Sequence, residues 1–188
     1  MGCSLNEACS GRCMRRSILD DNANRALGAL VMNYWLMKSE PSTFGIDNLA
    51  RAKNSTTGWD GVRNFQARNY LREMKKGDLV FFYHSSCDVP GIAGVAAVQR
   101  EAYADATAFD SKHDHYDPDS DPDKPRWYMV DVKLVRKFDR VIALDELRRH
   151  ATGKLKDMIV LKRGNRLSIT PVTKSEWSFI ESLAEGHE

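Results

Sequence analysis

The chain has 188 residues, of which 42% are apolar and 29% are charged, and its formal net charge is +2. These values are close to those of ordinary globular domains and exclude a fibrous or an extensively disordered chain. The length suffices for one domain with a sizeable core, and the longest apolar stretches are far below the roughly 18 residues needed to span a bilayer. We therefore predict one soluble domain with no membrane partner.

The first 31 residues differ in pattern from the rest of the chain. They contain Arg15 and Arg16 but no unbroken apolar core of the length that a secretory signal peptide needs, because charged and amide residues interrupt it. Met32 begins the patterned part and is a candidate translation start. We interpret residues 1–31 as a weakly ordered leader or a mis-assigned start, and residues 32–188 as the domain.

The cysteines carry information about the compartment. Three of the four lie within the first 13 residues, and Cys87 stands alone in the remainder. No disulfide framework follows from this distribution. Secreted domains usually pair their cysteines, so we predict a cytoplasmic protein.

Apolar periodicity predicts the elements of the first half. Aromatic and aliphatic content indicates a strand at 33–38, and apolar residues on one side indicate a short helix at 46–52. Asn64 is a predicted helix cap, because apolar residues follow it at helical spacing for about three turns. A turn signal at 77–78 precedes a dense apolar run at 79–84, which predicts a central strand.

The second half contains further strands around a polar insertion. Residues 91–101 predict a strand in which Gly94 permits a close backbone approach, and residues 127–138 extend the sheet. Between them, the acidic and proline-broken segment 105–125 predicts a surface loop. The remaining predictions are a helix at 144–150, a strand at 166–170 and a helix opened by the capping box Thr173-Lys174-Ser175-Glu176.

The order of these elements predicts the fold class. Five to six strands at irregular spacing, with short helices between them, indicate an α+β fold in which a mixed or antiparallel sheet curls into a small barrel. A doubly wound parallel sheet would require strands and helices in strict alternation. The short loop between 79–84 and 91–101 indicates a β-hairpin instead.

Charge is distributed unevenly along the chain. The segments 62–76 and 154–166 are each rich in lysine and arginine, whereas 110–123 is acidic. A solvated helix face is the better explanation of any one basic strip, so the strips alone do not identify a partner. Together they indicate a polarised surface, as phosphate-binding domains often have.

The segment Trp59-Asp60-Gly61-Val62-Arg63-Asn64 is the most informative stretch of the sequence. It combines a flat aromatic surface for stacking, polar groups for base edges and a cation for phosphate, as a base-binding pocket requires. Taken alone, a loop tryptophan is more often a plug of the core than a stacking platform. Polar residues also end the predicted strands at 38–41 and 83–86, which strengthens the hypothesis of a pocket.

Six motifs make the sequence resemble the EVE domain family, whose relatives are PUA and YTH domains. In chain order the motifs are YWLMKSEP (34–41), WDGVRN (59–64), FFYHS (81–85), GIAG (91–94), PRW (125–127) and RGNRLS (163–168). The resemblance covers nearly all of residues 33–181. It implies a PUA-like barrel with a pocket for a modified base.

By this resemblance, Trp59 is expected to be the stacking wall of the pocket. The residues expected to line the base-binding pocket are Ser39, Glu40, Trp59, Asp60, Val62, Asn64, Tyr83, His84, Ser85 and Ser168. Those expected to bind phosphate are Lys38, Arg63, Arg68 and Arg166. The implied function is non-catalytic reading of a modified base, either 5-methyl- or 5-hydroxymethylcytosine in DNA or a modified base in RNA, by a monomer without a cofactor.

Other functions remain open on the residues alone. His84 and Cys87 lie three apart and could form an activated nucleophile, although no catalytic signature surrounds them. A protein-interaction module with a filled pocket is a further alternative. The acidic segment imitates the start of a calcium loop, but Pro122 stands where the glycine of the sharp turn belongs, and no zinc pattern occurs.

Overall fold

Six strands form the framework of residues 32–186, the part of the chain that the computed structural model describes. The strands are β1 (Tyr34–Ser39), β2 (Thr56–Trp59), β3 (Leu79–His84), β4 (Gly91–Ala104), β5 (Tyr128–Ala143) and β6 (Ile169–Val172). The α-helices are α1 (Pro41–Phe44), α2 (Ile46–Arg51), α3 (Phe65–Glu73), α4 (Leu144–Arg149) and α5 (Lys174–Ala184). The predicted leader, residues 1–31, lies outside the described residues. None of the helices within residues 32–186 has the length and apolar character required of a membrane span.

The strands form one mixed sheet in the order β2-β5-β4-β3-β1-β6. Strands β1 and β3 pair in parallel, and every other neighbouring pair is antiparallel. The predicted α+β class is confirmed, as is the hairpin of β3 and β4.

The sheet is strongly curled. Strands β2 and β3 are separated by two others, which on a flat sheet would place them about 14 Å apart at the usual spacing of about 4.8 Å. The rings of Trp59 in β2 and Phe82 in β3 nevertheless meet edge to face with centroids 5.3 Å apart. Irregular register along β4 and β5 bends the long strands, because bulges increase local twist and curvature. One face of all six strands therefore encloses a common core.

Gly94 permits this curvature at the pairing of β4 with β5. A Cβ atom at this position would lie 2.4 Å from the carbonyl oxygen of Arg136 and 2.4 Å from Cδ1 of Ile46. The close approach predicted for Gly94 is confirmed, since no other residue fits without displacing backbone.

The outer face of the sheet is covered by α4, α5 and the segment around Leu155. Trp177 of α5 stacks on Phe81 with the ring centroids 3.8 Å apart. The predicted capping box opens α5, because Thr173 and Glu176 each bond the other's backbone N–H. These contacts pack the outer helices against the sheet.

Several element boundaries differ from the predictions, and two of these differences concern predicted site residues. Strand β2 was not predicted, and Trp59, expected in a loop, is its last residue. The last strand begins at Ile169 instead of Arg166, so Arg166 and Ser168 lie in the approach to the strand. Both differences move predicted site residues to the margins of the sheet.

Candidate functional site

A cavity of about 700 Å³ lies between the two margins of the curled sheet, β2 on one side and the β1–β6 pair on the other. The predicted site residues that line it are Lys38, Ser39, Glu40, Trp59, Asp60, Val62, Arg63, Ser85, Arg166 and Ser168. The lining residues that sequence reasoning did not select are Thr43, Phe44, Thr57, Gly58, Gly61 and His115. The volume is within the range typical of ligand sites.

Strand topology explains why distant segments converge on this cavity. The parallel pairing of β1 with β3 brings their carboxyl ends together, and the N–H of Ser85 donates to the carbonyl of Ser39 at 2.9 Å. The antiparallel pairing of β1 with β6 places Ser168 opposite Lys38, whose N–H donates to the Ser168 carbonyl at 2.8 Å. The hydroxyl of Ser39 donates to the Phe44 carbonyl at 2.7 Å and thereby fixes α1 at the rim.

The wall of the cavity is aromatic and apolar. Trp59 belongs to the interior core, and only 8% of its surface is exposed. Its edge-to-face contact with Phe82 fixes the orientation of the indole. Phe44 and Val62 add apolar surface to the same lining. Trp59 is therefore both a core side chain and a rigid wall.

Arg63 ties the loop between β4 and β5 to the cavity. Its guanidinium forms an ion pair with Asp105 at 2.7 Å and donates to the Thr107 hydroxyl at 3.1 Å. Nε and Nη2 of the same side chain both donate to the carbonyl oxygen of His115. The side chain of Asp105 is fully buried and also accepts from the N–H of Gly61 at 3.0 Å.

The electrostatics of Asp105 follow from these contacts. Burial raises the pKa of its carboxyl group, but hydrogen bonds from Arg63, Thr107 and Gly61 outweigh burial and leave the pKa below its usual value. Asp105 is therefore ionised at neutral pH and holds Arg63 in place. The charge of Arg63, expected to face phosphate, is instead paired within the protein.

His115 reaches the cavity from the acidic loop and lies directly against Gly61. Gly61 has a φ of +72°, and a Cβ atom there would lie 2.4 Å from Cε1 of the His115 ring. Glycine is thus required for both backbone conformation and space. The Nδ1 atom of His115 is buried without a hydrogen-bond partner among the described residues. The ring therefore leaves one buried polar atom unsatisfied beside Gly61.

Two cations of the lining have no acidic partner in the part of the chain that the structure describes. Lys38 and Arg166 both line the cavity, and neither forms an ion pair with a residue of 32–186. Burial lowers the pKa of Lys38, because desolvation disfavours the ammonium form. An anion placed near the two side chains would compensate for this cost. Glu40 and Asp60 of the lining are exposed to solvent and place negative charge at the outer rim.

Two of the predicted pocket residues lie away from the lining because of strand and helix geometry. Tyr83 points to the outer face of the sheet, where burial raises the pKa of its hydroxyl to about 12. Asn64 caps α3, since its side-chain oxygen accepts from the N–H groups of Gln66 and Ala67. Both side chains support the framework and do not contact the cavity.

His84 and Arg68 are also engaged outside the cavity. Nε2 of His84 accepts from the N–H of Ile46 at 3.1 Å, and burial lowers the pKa of the imidazole. The neutral ring therefore anchors α2. Arg68, expected to bind phosphate, donates to the Asn69 side chain and to the carbonyl of Arg126.

The alternative sites have little support in the geometry. The ring nitrogen of His84 that accepts from Ile46 is already in use, which leaves it unavailable as a base toward Cys87 while that bond is intact. In the acidic loop, the Asp117 carboxylate accepts from Nε1 of Trp127 at 2.5 Å and pairs with Arg126 at 3.2 Å. No group of three or more metal-ligating side chains occurs within residues 32–186.

The additional lining residues carried weak signals. Phe44 follows the predicted first strand in a short segment with no helical periodicity, and Thr57 and Gly58 belong to the strand that was not predicted. His115 lies in a loop whose composition indicates only exposure to solvent. The contacts of Arg63 with Asp105 and with the His115 carbonyl bring that loop to the cavity.

The curled mixed sheet and the cavity at its margins define an α+β domain with a preformed cavity that combines an aromatic wall with two cations. The chain belongs to the EVE domain family, whose sequence model matches residues 33–183. It is 48% identical over 168 residues to thymocyte nuclear protein 1 of Homo sapiens, which covers 81% of this chain and 74% of the relative. The predicted membership of the EVE domain family is thereby confirmed.

Solved structures agree with this assignment. A crystal structure of human THYN1 protein in complex with 5-methylcytosine containing DNA has a TM-score of 0.78 and 47% identity, and covers 81% of this chain and 98% of that chain. A crystal structure of a protein from Pseudomonas putida has a TM-score of 0.77 and 48% identity, and covers 80% of this chain and 99% of that chain.

Proposed function

We propose that this protein binds nucleic acid without catalysis and reads one modified base, which it holds in the cavity against Trp59. The observation that carries the proposal is the rigid aromatic wall beside two cations that lack acidic partners among the described residues. A nucleotide has the matching chemistry, because its base is flat and its phosphate is anionic. The proposed modified base is 5-methyl- or 5-hydroxymethylcytosine in DNA, or a modified base in RNA.

The division of labour within the site follows from the energetics of base extrusion. Taking a base out of a duplex costs a few kcal/mol, and stacking on an aromatic side chain returns about 1 to 3 kcal/mol. Stacking on Trp59 therefore supplies affinity and little selectivity. Discrimination comes from the polar strand ends at Ser39, Ser85 and Ser168, and from apolar space beside Val62 and Phe44 for an added methyl group.

Phosphate is assigned to Lys38 and Arg166, which line the cavity and whose charges are unpaired within residues 32–186. Arg63 is a positioning residue in this proposal, since Asp105 and the His115 carbonyl take up its donors. Each phosphate contact is expected to add about 0.9 to the salt dependence of binding to duplex DNA.

The human relative supports the proposal. The structure of human THYN1, 47% identical to this chain, is a complex with 5-methylcytosine containing DNA. The similarity of the two chains covers nearly all of that structure. We accordingly place DNA carrying 5-methylcytosine first among the ligands to be tested.

The compartment and the assembly are part of the same proposal. The described residues contain one free cysteine, Cys87, which is consistent with the reducing cytoplasm. The residues that line the cavity all belong to one chain, which is sufficient to hold one base. We therefore propose that the protein binds nucleic acid as a monomer.

The decisive experiment is a titration of the full 188-residue chain with matched oligonucleotides. DNA and RNA strands, single and paired, would each carry one cytosine, 5-methylcytosine, 5-hydroxymethylcytosine, adenine or N6-methyladenine at the same position. We expect one modified base to bind several-fold more tightly than its unmodified parent. Equal binding of all oligonucleotides, or no binding, refutes the proposal.

Two variants make the titration specific for the cavity. Trp59→Phe keeps a core ring but reduces the stacking surface, so we expect a loss of affinity of roughly threefold to tenfold for every base. Tyr83→Phe is the matched control, because Tyr83 is also a buried ring but belongs to the core on the opposite face of the sheet. If both variants bind alike, Trp59 is not the stacking wall.

A further inference from the structure

Phe65 is an exposed aromatic side chain at the first position of α3. It is 57% exposed and lies two residues after Arg63, which lines the cavity. An exposed apolar side chain has no significance by itself, because many occur singly on protein surfaces. The contacts of this ring with Trp127 and Arg68 fix its orientation.

The ring of Phe65 contacts both an aromatic side chain and a cation. It stacks on Trp127 with centroids 5.0 Å apart and an interplanar angle of 25°. The guanidinium carbon of Arg68 lies 5.1 Å from the centroid of the same ring. Trp127 is almost fully buried, and its indole N–H donates to Asp117. Phe65 is thus ordered before any ligand arrives, so little conformational entropy is lost on contact.

The same stack leads back to the cavity. The guanidinium carbon of Arg63 lies 5.5 Å from the centroid of the Trp127 ring, and Arg63 lines the cavity. Phe65 is therefore linked to the cavity lining through Trp127 and Arg63, by successive distances of 5.0 Å and 5.5 Å. A strand whose base occupies the cavity would place its neighbouring bases within reach of Phe65.

The helix that carries Phe65 also carries two arginine side chains. Arg68 and Arg72 are separated by four residues and so share one face of α3, and Arg72 lies over the ring of Tyr128 at 4.9 Å. Arg72 is exposed. An apolar ring flanked by cations complements a base stack flanked by phosphates.

We propose that Phe65 is a wedge that enters the base stack of a duplex at the gap left by the extruded modified base. The inference rests on the proposed function, because it requires a base in the cavity. Apolar side chains that enter base stacks are a known device for proteins that deform duplexes. The contact of Phe65 with the neighbouring bases replaces part of the stacking energy that is lost on extrusion. The modified base itself is recognised in the cavity.

This role predicts a specific dependence on the form of the ligand. A duplex needs the wedge, because its base must be extruded before it is bound. In a single strand the base has no pairing partner, so it can enter the cavity without extrusion from a duplex. We expect Phe65→Ala to weaken binding to duplex DNA with one 5-methylcytosine by roughly five- to thirtyfold, in line with one lost stacking contact. Binding to the single strand with the same base should fall less than about twofold by the same argument.

The experiment compares three probes that carry the same 5-methylcytosine: the paired duplex, a duplex with an abasic site opposite the modified base, and the single strand. The full chain, Phe65→Ala and Val135→Ala are titrated with each. Val135 is the matched control, because it is 58% exposed and lies outside the cavity lining. A 2-aminopurine placed beside the modified base reports local unstacking by an increase in fluorescence, which Phe65→Ala should diminish in the paired duplex.

The outcomes separate the wedge from the cavity. A loss confined to the paired duplex supports the wedge. If Phe65→Ala weakens duplex and single strand equally, or neither, while the preference for 5-methylcytosine persists, the wedge is overturned and the base reader stands. If the wild-type protein has no preference for any modified base, the proposed function fails first and the wedge with it.

Discussion

Replacement of Arg63 by methionine tests which of two roles this residue has. The sequence motif predicts a phosphate contact, whereas the structure pairs its guanidinium with the buried Asp105 at 2.7 Å. Methionine keeps much of the length and the apolar stem of arginine but removes the charge and its donors. The two roles then predict opposite results in stability and in binding.

The expected loss of stability follows from the contacts of Asp105. Removing one partner of a buried ion pair costs about 3 to 5 kcal/mol, because a buried charge is left without compensation. Here the Asp105 carboxylate keeps hydrogen bonds from Gly61 and Thr107, and 22% of the Arg63 side chain is exposed. We therefore expect Arg63→Met to lower the free energy of unfolding by about 2 to 3 kcal/mol, or a shift of about 1 M in the urea midpoint.

Binding at several salt concentrations supplies the second measurement. Arg166→Met is the matched variant, because Arg166 lines the same cavity without an ion pair to the described residues. Arg166→Met should leave stability within about 0.5 kcal/mol and reduce the salt slope of DNA binding by about 0.9. Arg63→Met should leave that slope unchanged in the fraction of protein that is folded. A stable Arg63→Met protein with a reduced slope would refute the assignment of Arg63 as a positioning residue.

Three further predictions concern the same site. Gly61→Ala should cost about 1 to 3 kcal/mol in urea unfolding and weaken binding, because its φ is +72° and its Cβ atom would meet the ring of His115; a neutral result would show that the loop relaxes freely. The free energy of unfolding of the wild-type protein should fall below about pH 4, since a carboxyl group with a lowered pKa stabilises the fold above its unfolded pKa and loses this contribution as pH falls through the folded value. Asp105→Asn should remove the contribution of this carboxyl group to the acid dependence. Urea unfolding between about pH 2 and 7 would measure it, because this range spans the titration of a carboxyl group. Because burial lowers the pKa of Lys38, its contribution to DNA affinity should disappear at a lower pH than that of an ordinary lysine, and Lys38→Met should abolish this alkaline step in a binding titration.

Local patterns accounted for much of the fold. Apolar runs identified the paired strands β3 and β4, and the side-chain chemistry of Asn64 and Thr173 correctly marked the beginnings of α3 and α5. The sequence did not predict strand β2, because this strand has only four residues and includes Gly58. It is stabilised by pairing with β5, which is distant in the sequence. Such pairing leaves no periodic signal in the strand itself.

The site was less accessible to sequence reasoning than the fold. Strand alternation places Phe82 and Tyr83 on opposite faces, so a motif that spans both cannot contribute every side chain to one pocket. The role of Arg63 depends on Asp105, which lies 42 residues away. Motif order alone could not distinguish a cation that faces the ligand from one that holds a loop.

The margins of the curled sheet, β2 and the β1–β6 pair, are not neighbours in its strand order, and the cavity lies between them. A ligand held there touches Trp59 on one margin and Ser168 on the other, and so acts as a non-covalent crosslink between segments more than a hundred residues apart in the sequence. The free energy of ligand binding then opposes separation of the two margins, so that a ligand in the cavity would stabilise the curled form of the sheet. Under the proposed function, a bound nucleotide would thus stabilise the fold of the domain that recognises it.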